Sequence, residues 1–303
     1  MSAEWLAISN ALADATEKSG KFTVAVHTEA RGSSSGVIWR PGFIVTAEHA
    51  LRRDEDIQVT VADGRVLPAK LVGRDPSTDL AVLKFEGDSE SAPLADSEAM
   101  KPGHVTLVVG RTRASGPVAA FGFVSLVAKG RRIWGGAQLS PYVRLDVVLQ
   151  RTVVGGAVVD ASGRVVGIAT PKFSPGGALA LPAATVNRVV ATLLEKGRIP
   201  LGYLGVGLQP IRLPENLMHA LNRQASRAIM VLEVEPAGPA YEAGVVIGDI
   251  LVSLNGKPVL RLEDVQTHLA GENIGKEVCA QFLRGGAPRE VSIVIGERKN
   301  EGD

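Results

Sequence analysis

The sequence predicts an all-β barrel or sandwich over residues 21–197, followed by a smaller unit of strands and one helix over residues 202–297. Short runs of β-branched and other apolar residues recur along the first region, and turns containing Gly, Pro or Asp separate them at short intervals. Many short strands with few helices are typical of barrels and sandwiches. In the second region, apolar runs flank a single segment with helical spacing.

The composition is that of a globular protein. Apolar residues make up 45% of the 303 residues and charged residues 21%, in a chain long enough for two ordinary domains. The formal net charge is +1 and the basic residues are scattered, so neither nucleic acid nor an anionic membrane is an expected partner. No stretch approaches the roughly 18 apolar residues of a membrane span, so none is expected.

Cysteine and histidine positions exclude two kinds of stabilising site. The single cysteine, Cys279, cannot form an internal disulfide, and its alternating surroundings favour a small buried apolar residue. The histidines lie far apart and none has a metal-ligand spacing, so we expect no metal and no cofactor. No signal peptide is visible, which predicts a cytoplasmic protein if Met1 is the natural start.

The N-terminal segment, residues 1–20, is predicted to be helical. Apolar residues recur at helical spacing between residues 4 and 18, namely Trp5, Leu6, Ile8, Leu12 and Ala15.

The barrel region then follows in order. Predicted strands cover residues 22–26, 43–46, 57–61, 80–83, 104–109, 143–148 and 164–169. A helix that begins near Pro182 and ends at Gly197 closes the region, with Val189, Val190, Leu193 and Leu194 as its apolar residues.

Residues 198–201 are predicted to form a short hinge before the second unit. The predicted strands of that unit cover residues 228–234, 250–254, 277–282 and 290–295, and a turn is expected at Asn255-Gly256. A helix is expected over residues 262–269. Residues 298–303 form a polar tail.

A histidine and an aspartate border two of the predicted strands. His49 comes just after the strand at 43–46, and Asp79 comes just before the strand at 80–83. An imidazole oriented by a buried carboxylate is a general base, which makes this pair a candidate catalytic dyad. Taken alone, the two residues are weak evidence for catalysis, and a satisfied histidine beside a turn aspartate is the better explanation.

The surrounding segments favour the catalytic interpretation. Residues 42–51 (GFIVTAEHAL) resemble the histidine motif of the trypsin-like HtrA (Deg) family, and residues 75–83 (DPSTDLAVL) resemble its aspartate motif. Residues 155–170 are similar to the stretch after the family's nucleophile, and residues 177–182 (GALALP) to the strand that lines its substrate pocket. The resemblance implies an all-β double β-barrel of the trypsin type with short helices, followed by a small α+β PDZ domain.

The nucleophile position departs from the family pattern. The family carries Gly-Asn-Ser-Gly-Gly there, and residues 152–156 of this chain read TVVGG. Val154 therefore stands at the nucleophile position, and valine has neither a proton for His49 nor an atom that forms an acyl intermediate.

The resemblance also assigns the oxyanion-hole amides to Thr152 and Val154. Consecutive β-branched residues favour extended backbone, so we expect Thr152, Val153 and Val154 to straighten the loop and turn these amides away. Thr152 is the nearest alternative nucleophile, but its use requires a two-residue shift in register. Ser140 and Ser162 are farther away. The resemblance implies an active site in a cleft between the two barrels, and His49 and Asp79 then remain as relics, as supports of this cleft or as ligand-binding groups.

The second unit resembles a bacterial PDZ domain over residues 202–206, 234–240, 243–251 and 254–259. In such domains a peptide adds as a strand, and backbone amides of a glycine-containing loop bind its terminal carboxylate. The matching loop is Tyr203, Leu204, Gly205 and Val206. Val265 and Leu269 on the helix are either pocket walls or core residues, and Asp249 is expected to be structural.

These observations predict an HtrA-like pseudoprotease, inactive or nearly so, that binds polypeptides or protein C-termini with apolar ends. It would act as a scaffold, a chaperone-like protein or a regulator. The alternatives are an active serine-type endopeptidase with an atypical nucleophile, and a structural subunit of a mixed assembly with HtrA homologues. Family members commonly form trimers through N-terminal aromatics, for which Trp5 and Phe22 are candidates. A truncated sequence would make a periplasmic location the alternative.

Overall fold

A computed structural model describes residues 3–27, 33–87, 90–128, 131–132, 138–139, 141–174, 177–214, 218, 226–269 and 271–298. The chain divides into two compact units, Met1–Ile199 and Pro200–Asp303. Because apolar clusters form separately within each unit, each has its own hydrophobic core.

The first unit begins with helix α1, Ala3–Gly20, as the apolar spacing predicts. The helix is held at its C-terminal end, where the buried guanidinium of Arg111 donates to the carbonyl oxygens of Gly20 at 2.5 Å and Thr23 at 2.8 Å. Its N-terminal part is exposed to solvent, and Trp5 is 65% exposed. Phe22, by contrast, is 3% exposed and belongs to the core of the first unit.

The first barrel contains six antiparallel strands and closes between β1 and β4. Its order is β1-β2-β3-β6-β5-β4. Near-continuous apolar runs form its buried strands, since both faces of β1 and β3 are covered. The strands are β1 (Thr23–His27), β2 (Ser34–Arg40), β3 (Phe43–Ala47), β4 (Ile57–Thr60), β5 (Val66–Asp75) and β6 (Leu80–Phe85).

The second barrel also closes, in the order β11-β14-β13-β12-β7-β8. Between its strands, β9 (Arg131–Arg132) and β10 (Gln138–Leu139) form a two-stranded sheet. Helix α2 (Ala183–Lys196) follows and is succeeded by Gly197, as predicted. The barrel strands are β7 (Val105–Thr112), β8 (Gly116–Ala128), β11 (Tyr142–Asp146), β12 (Ala157–Val159), β13 (Val165–Thr170) and β14 (Ala178–Pro182).

The second unit is a small α+β domain built on one main sheet. The sheet has the order β16-β17-β18-β20-β21, with β19 paired to β18, so β16 lies at an edge. Strands β15 (Gly202–Tyr203) and β22 (Gly296–Glu297) pair separately. The remaining elements are β16 (Val206–Arg212), β17 (Arg227–Val234), α3 (Pro239–Glu242), β18 (Ile250–Leu254), β19 (Lys257–Pro258), α4 (Leu262–His268), β20 (Glu277–Arg284) and β21 (Ala287–Val294).

The double barrel and the α+β domain confirm the predicted fold class. Within the described ranges, no helix combines the length and the apolar character that crossing a bilayer requires. The same ranges contain no group of three or more His, Cys, Asp or Glu side chains arranged to hold a metal ion.

Candidate active site and peptide-binding site

The predicted dyad of His49 and Asp79 is assembled in the first unit. His49 lies in a short 3-10 turn, Glu48–Ala50, directly after β3. Its ring Nδ1 lies 2.8 Å from both carboxylate oxygens of Asp79, and its backbone N–H donates to Asp79 Oδ1 at 3.0 Å. The Asp79 side chain is fully buried, whereas that of His49 is 37% exposed. This is the arrangement of an imidazole oriented by a carboxylate.

Asp79 is held by its backbone and by two residues that sequence analysis did not single out. It adopts a left-handed φ of 60°, and its carbonyl oxygen accepts the Glu48 N–H at 3.1 Å. The hydroxyl of Thr170 donates to Asp79 Oδ2, and Lys172 Nζ lies 3.9 Å from Asp79 Oδ1. Thr170 ends β13, so only the pairing of strands brings it to the dyad.

The loop at the nucleophile position is a turn, and the expectation of a straightened loop is wrong. Residues Arg151–Val153 form one turn of 3-10 helix, in which the Val153 N–H donates to the Gln150 carbonyl at 3.0 Å. The Val154 N–H donates to the Arg151 carbonyl oxygen at 3.3 Å. Only Val154 itself is extended, with φ −64° and ψ 132°. The Val154 amide is thus already used by the turn.

Ser35 on β2 fixes this turn from the neighbouring barrel. Its hydroxyl donates to the Thr152 carbonyl at 2.6 Å and accepts the Arg111 N–H at 2.8 Å. Its backbone N–H donates to the Val154 carbonyl at 2.9 Å. Tertiary hydrogen bonds therefore override the extended preference of the β-branched residues, which explains the failed expectation.

Gly155 shows how closely the turn approaches the strand that carries the histidine. It adopts a left-handed φ of 76°, and a Cβ added there would lie 2.5 Å from the Ser35 carbonyl oxygen and 2.7 Å from the Ala47 nitrogen. Ala47 ends β3, immediately before the His49 turn. The fold therefore brings Gly155, the residue after Val154, against the strand that precedes the His49 turn, and Val154 itself is 6% exposed.

No serine or threonine hydroxyl is bonded to the His49 imidazole in the described part of the chain. The side-chain hydrogen bonds of His49 found there go to Asp79, and none joins a serine or threonine hydroxyl. The Ser162 hydroxyl instead donates to Asp160 Oδ1 at 2.6 Å within an exposed turn. Ser140 lies outside the described residues.

In the second unit, the predicted loop stands before the edge strand β16. Leu204 is buried, and its carbonyl oxygen accepts the Ala240 N–H at 2.9 Å. Gly205 has a left-handed φ of 71°, and its carbonyl oxygen accepts the Glu235 N–H at 2.8 Å. Both carbonyl groups are thus occupied by hydrogen bonds within the domain. None of the hydrogen bonds within the described residues uses the N–H of Leu204 or Gly205.

The predicted pocket residues on α4 differ in exposure. Val265 is buried in the core of the second unit, which fits the simple core interpretation. Leu269 is half-buried and packs against the same core. Val206 and Leu208 of β16 and Leu262 of α4 are also half-buried apolar residues on that core. An apolar surface therefore runs between the edge strand and the helix.

Comparisons with known proteins agree with both units. Residues 34–168 match the trypsin-like peptidase domain, and residues 202–295 match the PDZ domain. The solved structure of the serine endoprotease from Yersinia pestis has a TM-score of 0.75 and 29% identity, covering 95% of this chain and 98% of that one. The HtrA-type protease AlgW with tripeptide has a TM-score of 0.76 and 26% identity, covering 95% and 98%. The chain belongs to the HtrA family.

Curated HtrA relatives are longer than this chain. A probable periplasmic serine endoprotease, DegP-like, of Rhizobium meliloti (strain 1021) is 33% identical over 274 residues, which cover 88% of this chain and 53% of the relative. The periplasmic pH-dependent serine endoprotease DegQ of Escherichia coli (strain K12) is 31% identical over 274 residues, covering 87% and 59%. The chain thus spans little more than half the length of these relatives. Their names do not support the cytoplasmic location expected from the sequence.

Proposed function

We propose that this HtrA chain is a pseudoprotease that binds polypeptide C-termini through its PDZ domain without hydrolysing them. The observation that carries the proposal is the 151–154 turn. In this turn Val154, which the resemblance assigns to the nucleophile position, donates its amide N–H to the Arg151 carbonyl oxygen.

The turn removes two requirements of acyl transfer together. Val154 offers no oxygen to attack a peptide carbonyl. An oxyanion hole needs amide donors aimed at the developing charge, whereas the amide of Val154 points to the Arg151 carbonyl oxygen. In another serine protease, loss of the serine lowers kcat by about 10⁶-fold, and about 10³- to 10⁴-fold over water remains from the oxyanion hole and binding. Loss of the oxyanion hole lowers this remaining rate enhancement further.

The dyad then serves the structure of the cleft. Buried Asp79 accepts hydrogen bonds from His49, Thr170 and the backbone, so its charge is compensated without a substrate. The His49 imidazole remains partly exposed. Because no nucleophile hydroxyl among the described residues lies beside it to be deprotonated, it is available to bind a polar group of a ligand.

The PDZ domain supplies the binding site. Two N–H groups of the Leu204-Gly205 loop are unused within the described residues, and β16 is a free sheet edge beside half-buried apolar residues. A peptide with an apolar end fits this site as an added strand whose carboxylate is bound by the loop. The similar HtrA-type protease AlgW has been solved with a tripeptide.

The location and the assembly that we propose are based on the relatives and on helix α1. We propose a periplasmic location, because the curated relatives are named periplasmic proteases. Trp5, Leu6 and Ile8 are exposed apolar residues on α1 and are suited to contacts in a homotrimer or in a mixed assembly with HtrA homologues. In either assembly the chain acts as a scaffold, chaperone-like protein or regulator.

An active endopeptidase is the second candidate. It is favoured by the oriented His49–Asp79 pair and by the endoprotease names of the relatives. It requires a nucleophile other than Val154.

A binding experiment tests the proposal on the full chain. A fluorescent decapeptide with apolar final residues is titrated with a free C-terminal carboxylate and, as the matched control, with a C-terminal amide. We expect the free carboxylate to bind at least about tenfold more tightly, because charge-assisted hydrogen bonds to the loop are lost in the amide. Mass spectrometry of the recovered peptide should show its original length. Equal binding of both peptides, or shortened peptide, would contradict the proposal.

A further inference from the structure

The apolar surface between β16 and α4 forms a groove, and a cluster of arginines lies at the end of this groove remote from the Tyr203–Val206 loop. Arg212, Arg227 and Arg261 line an open pocket of about 430 Å³ between the last residues of β16 and the start of α4. Glu263 also lines this pocket. The lining therefore carries three guanidinium groups and one carboxylate, an excess of positive charge at one end of an otherwise apolar groove.

Two of these arginines are paired on neighbouring strands of the sheet. Arg212 of β16 and Arg227 of β17 are directly opposite in the antiparallel register, and both are exposed. Like charges directly opposite on paired strands are destabilising. The pair therefore weakens the sheet when the domain is empty, and an anionic ligand between the two groups relieves this repulsion.

Among the described residues, the three arginines are exposed or lie at the pocket rim without the close ion pairs that bind other arginines of the chain. No salt bridge found among those residues involves Arg212, Arg227 or Arg261. Asp264 uses Oδ2 to accept the backbone N–H groups of Leu260 at 2.9 Å and Arg261 at 3.0 Å, which fixes the start of α4. One oxygen of this carboxylate is thus engaged by the backbone.

The backbone of β16 also lacks one N–H donor just before the arginines. A peptide strand bonded to the free edge relies on N–H groups of β16, and Pro210 has none. Beyond this residue the main-chain ladder is weakened, so side chains must provide the recognition. Arginine binds carboxylates through paired N–H donors.

We propose that the groove selects C-termini that carry acidic residues upstream of their apolar end. This inference rests on the proposed function, because the peptide must bind along β16 with its carboxylate at the Leu204-Gly205 loop. The ligand strand then runs antiparallel to β16, and each residue advances about 3.3 Å along it. Pairing that starts at Val206 places residues roughly four to six positions before the C-terminus beside Pro210–Arg212.

Paired peptides test the proposal on the full chain. Two fluorescent decapeptides share the same apolar end and free carboxylate, and carry either aspartates or asparagines at those upstream positions. We expect the aspartate peptide to bind about fivefold more tightly at low ionic strength, since each exposed charge pair contributes modestly. The preference should fade at high salt because exposed charges are screened.

Charge variants locate the effect. Replacing the three arginines together, Arg212→Gln, Arg227→Gln and Arg261→Gln, should remove the preference while leaving the affinity for the asparagine peptide unchanged. The matched control is Arg289→Gln, an exposed arginine on β21 at the opposite edge of the sheet, which should keep the full preference.

Different failures have different meanings. Equal affinity for the two peptides would overturn the acidic preference and leave C-terminal binding intact. An equal loss of preference in Arg289→Gln, or tight binding of an amidated aspartate peptide, would also overturn it, because the arginines would then act outside the groove. Absence of binding by both free-carboxylate peptides would overturn the proposed function together with this inference.

Discussion

Val154 and the turn before it act on the same reaction in different ways. In the proposed pseudoprotease, the Val154 side chain offers no attacking atom, and the Val154 N–H is lost as an oxyanion donor because it bonds to the Arg151 carbonyl oxygen. Ser35 holds the turn through Thr152. Restoring the hydroxyl alone therefore leaves the second defect in place.

Serine reconstruction separates the two defects. We expect Val154→Ser alone to restore little hydrolysis, because its amide still bonds to Arg151. Adding Thr152→Gly should raise kcat/KM by a further factor of about 10 or more, since glycine lets the loop turn its amides outward. Peptide hydrolysis measures both variants, with His49→Ala in the double variant as the inactive control. Strong activity from the single change would show that the turn does not block the oxyanion site.

Asp249 is a structural aspartate, in keeping with the sequence-based expectation. Its buried carboxylate bonds to the Arg284 guanidinium at 2.8 and 2.7 Å and to the Val246 N–H at 3.0 Å. Burial raises the pKa of Asp249, but the hydrogen bonds and charge of Arg284 and the Val246 N–H together hold that pKa below its ordinary value. A lowered folded pKa stabilises the domain above the unfolded pKa of about 3.9, and this contribution is lost as the pH falls through the folded pKa.

Removing this carboxylate tests its role. We expect Asp249→Ala to lower the free energy of unfolding by about 2 kcal/mol at neutral pH, because buried donors lose their acceptor while Arg284 stays partly hydrated. The difference from the wild type should shrink below about pH 3.9. Urea unfolding followed by far-UV circular dichroism measures it. Asp63→Ala, which removes an exposed carboxylate, should change little, and an equal loss there would contradict the assignment.

At the scale of elements, the sequence anticipates strands whose apolar runs are continuous. The predicted strands at 43–46 and 80–83 lie within β3 and β6. Strands β2, β5 and β8 were not among those predicted, because β2 begins with two serines, β5 contains Pro68 and Gly73, and β8 is rich in Gly and Ala. Pairing with neighbours in a closed barrel overrides these weak local preferences.

Parts of the site show the same division between local and tertiary information. His49 and Asp79 were predictable, because each lies in a recognisable segment beside a strand. Ser35 and Thr170 were not, since their hydroxyls reach the turn and the dyad only through strand pairing far apart in sequence. The 3-10 turn was missed for the same reason, because local propensity favoured an extended loop.

The Tyr203–Val206 loop yields a prediction at this scale. Gly205 and Gly275 both have left-handed φ values, 71° and 78°, but only Gly205 lies in the loop before β16. Alanine at either position should cost about 1–2 kcal/mol of stability, because an L side chain strains this conformation. Only Gly205→Ala should also weaken binding of a C-terminal peptide, which fluorescence anisotropy measures. Equal binding by the two variants would place the carboxylate site elsewhere.

At the scale of the whole molecule, the chain divides between Ile199 and Pro200. We propose that residues 21–197 and 202–297 are separate folding domains joined by a hinge at 198–201. A fragment of residues 200–303 should unfold cooperatively and bind the C-terminal peptide like the full chain, because it contains the Leu204–Ile295 core. Circular dichroism and anisotropy measure this. A fragment without a cooperative transition would contradict the division.

Loss of catalysis is tested most directly by the initial rate of casein hydrolysis, measured for the wild-type and His49→Ala chains purified side by side. We expect both rates to equal the buffer background, since an oriented imidazole has no hydroxyl to activate beside Val154. A wild-type rate above background that disappears in His49→Ala would contradict the pseudoprotease assignment and establish a second nucleophile.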